Sequence, residues 1–326
     1  MVEPMSPERP ASTVVRPLPE ADLAEADRIC RVAFGTFLAS PDPERFFGDV
    51  EVVRTRWGAR PEAALAAYCS GRLAGSNFAT GWGSVGFLGP LTVAPECWNR
   101  GIAGRLLDAT LEIFKAWGTT HIGLFTFAHS PKHVGLYQRF GFWPRSLTAV
   151  MSRPLVTAAP ETAPRARPGT GVAAPLSAGM RAEIRGLTDA VHPGLDVTAE
   201  IDAVIRQRLG DVVMLRGDRG DLEGVAVCHI GAGTEAGGGT CYIKFGAARP
   251  GPGVESRFAR LVDACNRVAA DWGASVVTAG VNAGRESAWR ALQTMGFRTS
   301  FLGVVMDRPN EAGYNTARSY VIDDWR

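Results

Sequence analysis

The chain has 326 residues, more than one ordinary hydrophobic core holds, and this length suits two domains of about 100 to 200 residues each. Its 46% hydrophobic and 21% charged residues are typical of a soluble globular protein, and no apolar run approaches the roughly 18 residues of a membrane span. The 35 basic and 33 acidic residues leave a net charge of only +2, which excludes the basic surface of a nucleic-acid-binding protein and indicates a small-molecule partner.

Residues 1–12 are polar and rich in proline, and they lack the apolar segment of a secretion signal. We therefore interpret them as a disordered tail and expect a cytoplasmic protein, either a monomer or a homodimer. The six cysteines form no C-x-x-C pair, so we expect reduced thiols that pack as small core residues.

Apolar periodicity in the first half predicts alternating strands and helices. The segment TVVRPLP is predicted as a strand, and two helical stretches follow it. Three strands come next, AALAAYC, SNFATGWGSV and GFLGPLTVAP, separated by glycine turns. A long helix with an apolar stripe from Ile102 to Trp117, the strand HIGLFTF, a short helix closed by Gly141 and a final strand complete this half.

A linker rich in alanine, proline and threonine divides the chain into two similar halves. Three features recur 155 residues later: Trp117-Gly118 as Trp272-Gly273, Gly141-Phe142 as Gly296-Phe297, and VMSRP as VMDRP. We therefore predict a tail (1–12), an N-terminal domain (13–155), a linker (156–170), a C-terminal domain (171–310) and a second tail (311–326).

Residues 86–107 carry the most informative chemical pattern, because an apolar strand runs through a glycine-containing loop into a helix. Backbone N–H groups at a helix start have no partner within the helix, and the helix dipole favours an anion there. The loop and first turn combine small residues with arginines: Arg100, Gly101, Ala103, Gly104 and Arg105. This pattern predicts a pyrophosphate site. Gly89-Pro90 in the preceding strand predicts a splay that admits a slender pantetheine arm.

This stretch resembles motif A of the GNAT acetyltransferases, which reads glutamine or arginine, two residues, glycine, one residue, and glycine or alanine. Gly101 and Ala103 fill the small positions, while Trp98 replaces the glutamine or arginine. The resemblance implies acyl-CoA as co-substrate, with thioester and pantetheine contacts from the amides of Leu91, Thr92 and Val93. It implies further coenzyme contacts at the loop and helix start: Asn99, Arg100, Gly101, Ile102, Ala103, Gly104 and Arg105.

A second stretch, HVGLYQRFGF, resembles motif B of the same superfamily. Leu136-Tyr137 and Gly141-Phe142 match the motif, and Ser130 stands where asparagine is common, as a further coenzyme contact. The resemblance implies an α/β (α+β) fold of two tandem GNAT-like domains, each with a mixed, largely antiparallel central sheet flanked by helices.

The resemblance implies that Tyr137 is the general acid. Attack of an amine on a thioester expels a thiolate, and a phenol of pKa about 10 can supply a proton to a thiol of pKa about 8.5. The alternative is a buried tyrosine that packs in the core.

The general base is less evident, because residues 87–93 contain no ionisable side chain. His129, at the end of the strand before motif B, is the best substitute, although a loop histidine bonded to backbone is an equal alternative. His129 and His133 could also suggest a metal pair, but no third ligand stands at supporting spacing, so no metal is expected.

The second half keeps the pattern of strands and helices but loses the chemical residues. At the repeat spacing, Ser256 stands opposite Gly101, and the GPG at residues 251–253 aligns with the first loop only if a gap is allowed. Leu292 replaces Tyr137. We interpret this half as degenerate, with a structural or substrate-shaping role. A second coenzyme site stays open, because a backbone anion cradle needs no particular side chain.

The tail at 311–326 offers four apolar residues for packing across the domain interface: Tyr320, Val321, Ile322 and Trp325. Asp323 and Asp324 either contact a substrate ammonium or, as we favour, form a solvated acidic turn.

Together these features predict an N-acetyltransferase that moves an acetyl or other short acyl group from acyl-CoA to an amine of a small molecule or peptide. Direct transfer is expected, because no activated cysteine is evident. A non-catalytic acyl-CoA-binding regulatory module is the alternative, and thioester hydrolysis or decarboxylation is a third possibility. The acceptor pocket is expected at residues 37–47, Trp82 and the interdomain surface.

Overall fold

The computed structural model describes residues 13–155 and 175–326, so the tail predicted at 1–12 and the linker predicted at 156–170 lie outside the described residues. In the first half the elements follow the order predicted from the sequence, except that the third predicted strand of the central three is divided in two. In chain order they are β1 (Thr13–Pro17), α1 (Leu23–Phe37), α2 (Val52–Ala59), β2 (Ala64–Cys69), β3 (Arg72–Trp82), β4 (Val85–Leu88), β5 (Thr92–Val93), α3 (Ile102–Ala116), β6 (His121–Thr126), α4 (Pro131–Arg139) and β7 (Trp143–Pro154).

The second half repeats this order from its two helices onward. Its elements are α5 (Ala178–Val191), α6 (Thr198–Gln207), β8 (Gly210–Arg216), β9 (Leu222–Gly231), β10 (Gly237–Ala248), α7 (Val254–Asp271), β11 (Val276–Asn282), α8 (Glu286–Thr294), β12 (Arg298–Arg308) and β13 (Val321–Ile322). Among the described helices, none combines the length and the apolar character that crossing a bilayer requires.

The repeat seen in the sequence has a structural basis in strand register. Val85 of β4 pairs with His121 of β6 in a parallel ladder, and Thr240 of β10 pairs with Val276 of β11 in the same way, 155 residues later. Helix α8 likewise begins 155 residues after α4. The two halves therefore share one arrangement of a parallel strand pair and its neighbouring helices.

The repeat is interrupted at one place, before the helix that follows β10. Helix α7 has 18 residues and α3 has 15, and the extra turn lies at the start of α7. Gly253 precedes α7 at φ 77°, just as Gly101 precedes α3 at φ 76°. Gly253 is therefore the structural equivalent of Gly101, and the alignment of Ser256 with Gly101 at constant spacing is wrong.

All described strands form one 13-stranded sheet, in which the last strands of the two halves are exchanged. Strand β12 of the second half lies between β6 and β7, and β7 of the first half lies between β12 and β11. Pairing is antiparallel except for β4 with β6 and β10 with β11. The predicted fold class, a mixed and largely antiparallel sheet flanked by helices, is confirmed. The exchange means that neither half completes its sheet alone.

An apolar core joins the halves beneath this sheet. The Trp82 ring lies 4.8 Å from that of Phe87 and 5.2 Å from that of Phe245 in the second half. Trp325 of the tail stacks at 6.4 Å from Phe87 and covers Gly123, where a larger side chain would meet its indole. The expected packing of the tail across the interface is thus present, whereas Trp82, expected at the acceptor pocket, is only 1% exposed in the core.

Candidate active site

The splay predicted at Gly89-Pro90 is present. Strand β4 pairs in parallel with β6 as far as Phe87, but the chain resumes beyond Pro90 as β5, which pairs only with β3 among the described strands. The N–H of Ala94 donates to the carbonyl of Ala74 on β3 at 2.9 Å. A wedge therefore opens between β5 and β6, on the side of β5 that faces away from β3.

The alternation of backbone groups along β5 decides which amides line this wedge. Because successive N–H groups of a strand point to opposite edges, the N–H of Thr92 points toward β3, as the N–H of Ala94 does. Leu91 and Val93 then present their N–H groups to the wedge. The three backbone contacts stay predictions, and Thr92 is the one whose N–H points toward β3 instead of the wedge.

Residues 99–104, which include the start of α3, form an open rim beside the wedge. Asn99 and Gly101 adopt left-handed backbone conformations, with φ of 64° and 76°. Within the described part of the chain, the N–H groups of residues 99–104 donate no hydrogen bond, while that of Arg105 is the first to bond within the helix, to the Gly101 carbonyl. A Cβ atom at Gly101 would meet no atom within 4 Å. The rim therefore fits a diphosphate, which needs unpaired donors and open space.

The side chains around this rim differ from the pattern expected of the motif. Trp98, in place of glutamine or arginine, donates from its indole N–H to the Val93 carbonyl at 2.7 Å and so ties the rim to β5. The Arg105 guanidinium donates to the Thr13 carbonyl at 3.1 Å, which directs it toward β1. Lys132 places its ammonium 5.1 Å from the Trp98 ring centre. Sequence reasoning missed Lys132, although its position two residues after Ser130 was a usable signal.

Tyr137 lies in the apolar cluster that lines the wedge. The cluster also contains Leu88 at the end of β4 and Leu124 of β6. The side chain of Tyr137 is buried, and its ring centre lies 6.3 Å from that of Phe142. The Tyr137 hydroxyl makes no hydrogen bond to any described residue. Burial raises the pKa of the Tyr137 phenol, so the hydroxyl stays protonated at neutral pH.

Two histidines lie at the start of α4, and one of them, His133, is one helical turn from Tyr137. The Ser130 Oγ accepts from the His133 N–H at 3.4 Å and so caps the helix. His129 is exposed, with its ring 6.1 Å from Phe37. His133 is half-buried 4.7 Å from Phe37, and its Nδ1 has no partner within the described chain. Burial, reinforced by the charge of Lys132, lowers the pKa of His133.

Helical geometry places His133 and Tyr137, four residues apart, on one face of α4. A continuous set of aromatic rings extends from this face. Neighbouring ring centres lie 4.8 to 6.4 Å apart in a group formed by Phe34, Phe37, Phe46, Phe47, Phe127 and Phe301. Phe301 belongs to the exchanged strand β12, so the second half supplies part of this aromatic wall.

A buried charge cluster fixes the other side of the splay. Arg56 donates to the Gly89 carbonyl and pairs with Glu235 of the second half at 3.1 Å. Lys244 pairs with Glu235 at 2.8 Å and with Glu200 at 3.0 Å. Burial disfavours the charged Glu235, but Arg56 and Lys244 outweigh burial and hold its pKa well below the usual range. No sequence pattern pointed to this cluster, because its members are far apart in the chain.

Comparisons with known proteins find a family and solved structures to which this chain is similar. Residues 27–142 match the model of the acetyltransferase (GNAT) family. The chain is similar to a protein of Pyrococcus horikoshii assigned as an acetyltransferase, with 15% identity over 99% of each chain and a TM-score of 0.64. It is also similar to a GCN5-related N-acetyltransferase from Sphaerobacter thermophilus, with 16% identity over 91% of this chain and 95% of that one and a TM-score of 0.57.

Identities this low establish the fold alone, and no curated protein sequence matches the chain. The family match covers the splay, the open rim and Tyr137 together. Residues 27–142, in the first half of the chain, are therefore similar to the acetyltransferase (GNAT) family.

Proposed function

We propose that the chain is an acyl-CoA-dependent N-acyltransferase, which moves an acetyl or other short acyl group directly to an amine of a small molecule or peptide. One observation supports this proposal above the others: the unpaired amides at the start of α3 adjoin a wedge whose wall contains a buried tyrosine, and its hydroxyl makes no hydrogen bond to a described residue. The rim suits the diphosphate of coenzyme A, and the wedge suits its pantetheine arm.

The residues of the wedge have distinct roles in the proposed transfer. The amides of Leu91 and Val93 hold the thioester carbonyl and stabilise the negative charge that develops on its oxygen. As the new C–N bond forms and the C–S bond breaks, Tyr137 donates its phenolic proton to the departing sulfur. The amine gives one proton to a base, so the products are an amide and a free thiol.

Two histidines are candidates for that base. His129 is the residue that sequence indicates, but it is exposed at the rim of the aromatic wall. His133 is better supported, because its buried Nδ1 lacks a partner and its lowered pKa keeps the imidazole neutral and able to accept a proton. We therefore propose His133 as the base and retain His129 as its alternative.

The pH profile separates the two histidines. A base must be deprotonated, so activity is lost as the pH falls through its pKa, and the lowered pKa of His133 moves this loss below about pH 6.5. We expect His133→Gln to lower kcat by roughly tenfold to a hundredfold and to abolish the acidic limb of the profile, whereas His129→Gln should preserve both. An acidic limb that disappears only in His129→Gln would assign the base to His129.

A negative charge introduced at Gly101 tests the coenzyme site. Aspartate tolerates the left-handed conformation of Gly101 and has open space there, but its carboxylate would repel a diphosphate. We expect Gly101→Asp to weaken acetyl-CoA binding by about tenfold, from roughly 1.4 kcal/mol of like-charge repulsion. Gly101→Asn has nearly the same shape without the charge and should lose much less affinity. Equal losses in both variants, measured by calorimetry, would contradict a diphosphate at this rim.

The activity itself is tested by thiol release from acetyl-CoA with a panel of primary amines, aminosugars and peptides. An amine-dependent release of thiol, with an acylated amine as product, is the expected result. Binding of acetyl-CoA without turnover would support the alternative, a regulatory binding module. Thiol release without an acylated amine would indicate hydrolysis of the thioester.

A further inference from the structure

The second half contains a cleft where the first half has its wedge. Strand β10 pairs with β11 as far as Ile243, and beyond that residue the two strands separate. At the repeat spacing Ile243 corresponds to Leu88, the last residue of β4 before the splay. A loop ending at Gly253 then leads into α7, as the first loop leads into α3. The second half thus retains the strand, loop and helix arrangement of a coenzyme cleft.

This second cleft is filled by the chain's own tail. Val321 and Ile322, as strand β13, pair antiparallel with Ala247 and Gly246 of β10. The N–H of Ala248 donates to the Tyr320 carbonyl at 3.2 Å. At the repeat spacing, Gly246 and Ala248 correspond to Leu91 and Val93, whose N–H groups face the wedge in the first half. The tail therefore binds the second half along the backbone that the first half leaves open.

Buried side chains hold the tail in place. The Arg285 guanidinium, at the start of α8, donates to the Val321 carbonyl at 3.1 Å and to Asp323 Oδ1 at 2.8 Å. The Tyr314 hydroxyl donates to Asp323 Oδ2 at 2.9 Å. Arg285 and Asp323 are 1% and 2% exposed. Removing the tail would leave a buried arginine without its partner, which is strongly unfavourable.

Asp324, the next residue of the tail, also has buried partners. The Tyr242 hydroxyl donates to Asp324 Oδ1 at 2.7 Å, and Arg326 pairs with Asp324 Oδ2 at 3.2 Å. The interpretation of Asp323 and Asp324 as a solvated acidic turn is therefore wrong, because both carboxylates are buried and bonded.

An arginine side chain occupies the loop before α7, which corresponds to the rim of the first half. The Arg257 guanidinium folds back from α7 and donates to the carbonyls of Arg249 and Pro252 at 2.9 and 2.8 Å. In the first half the corresponding space is open, because a Cβ atom at Gly101 would meet no atom within 4 Å. The guanidinium fills the concave side of the second loop with a side chain of this chain.

We propose that the second cleft is a binding site for an extended peptide, that residues 320–323 of the tail are its resident occupant, and that the chain consequently binds one coenzyme A, in the first half. The tail takes the place of a pantetheine arm, and its last residues cross to the first half, where Trp325 covers Gly123. The one-coenzyme count relies on the proposed function, whereas occupancy of the cleft by the tail does not.

Occupancy is tested by a substitution outside the tail. A Cβ atom on Gly280 of β11 would meet the Asp324 side chain, so Gly280→Ala should expel the tail from the cleft. Gly186→Ala, in α5, meets no atom within 4 Å and is the matched control. We expect hydrogen exchange of the amides of residues 320–323 to accelerate by about tenfold or more in Gly280→Ala and to stay unchanged in Gly186→Ala. Rapid exchange of these amides in the unsubstituted chain would overturn the proposal.

The coenzyme count is tested by calorimetry with coenzyme A, which does not depend on whether Gly280→Ala folds. One molecule per chain, bound with reduced affinity in Gly101→Asp, is the expected result. Two molecules per chain, or a site of unchanged affinity in Gly101→Asp, would overturn the exclusion of coenzyme from the second cleft. Complete absence of binding would instead overturn the proposed function, and hydrogen exchange would still decide whether the tail occupies the cleft.

Discussion

Replacing Tyr137 by phenylalanine is expected to lower kcat by about 100- to 1,000-fold without changing the affinity for acetyl-CoA. The substitution removes one hydroxyl that has no hydrogen-bond partner among the described residues, so the core keeps its packing and its stability. What is lost is the proton that the departing thiolate requires. Thiol-release kinetics give kcat, and calorimetry gives the affinity.

Tyr68→Phe is the matched control for this result. Tyr68 is also buried in the first half, but its hydroxyl donates to Asp22 and it belongs to the core cluster of α1, away from Tyr137. We expect Tyr68→Phe to retain kcat. If Tyr137→Phe also retained kcat, Tyr137 would be a core residue with no part in proton transfer.

Replacing Arg56 by methionine is expected to lower the free energy of unfolding by about 3 to 5 kcal/mol. Arg56 is 5% exposed, and without it Lys244, which Glu235 shares with Glu200, is the remaining ion-pair partner of Glu235 among the described residues. The Gly89 carbonyl also loses its donor at the splay. Urea denaturation measures the loss, and Arg54→Met, on the exposed side of the same helix, should change stability by less than about 0.5 kcal/mol.

A double variant distinguishes an unpaired charge from a loss of packing. If the cost comes from leaving Glu235 buried without its partner, Arg56→Met combined with Glu235→Met should recover part of the stability, since Lys244 still pairs with Glu200 at 3.0 Å. Additive losses in the double variant would contradict a cost from the unpaired charge.

The local features of the first half were predictable because they depend on short-range chemistry. The apolar stripe of α3 recurs at helical spacing, and its residues Ile102, Leu106, Thr110 and Phe114 are buried as expected. The splay follows from a Gly-Pro pair that a continuous ladder does not accommodate. The open rim follows from small residues at a helix start, where amides lack partners in any sequence. These inferences needed no knowledge of distant residues.

The features that join the halves were not predictable, because strand pairing across a long interval leaves no periodic trace in a sequence. The exchange of β7 and β12 is an example, since either strand would satisfy the same pattern in its own half. Asp323 and Asp324 read as a solvated turn because their partners Arg285 and Tyr242 stand far away in the chain. The extra turn of α7 hid the equivalence of Gly253 and Gly101, which backbone conformation reveals.

Hydrogen exchange with and without coenzyme A tests the central claim most directly, because the claim concerns individual backbone amides. We predict that coenzyme A slows exchange in residues 91–104, which contain the wedge and the rim at the start of α3, and leaves residues 246–257 unchanged. Slower exchange confined to the second half, or no change in either half, would contradict the account.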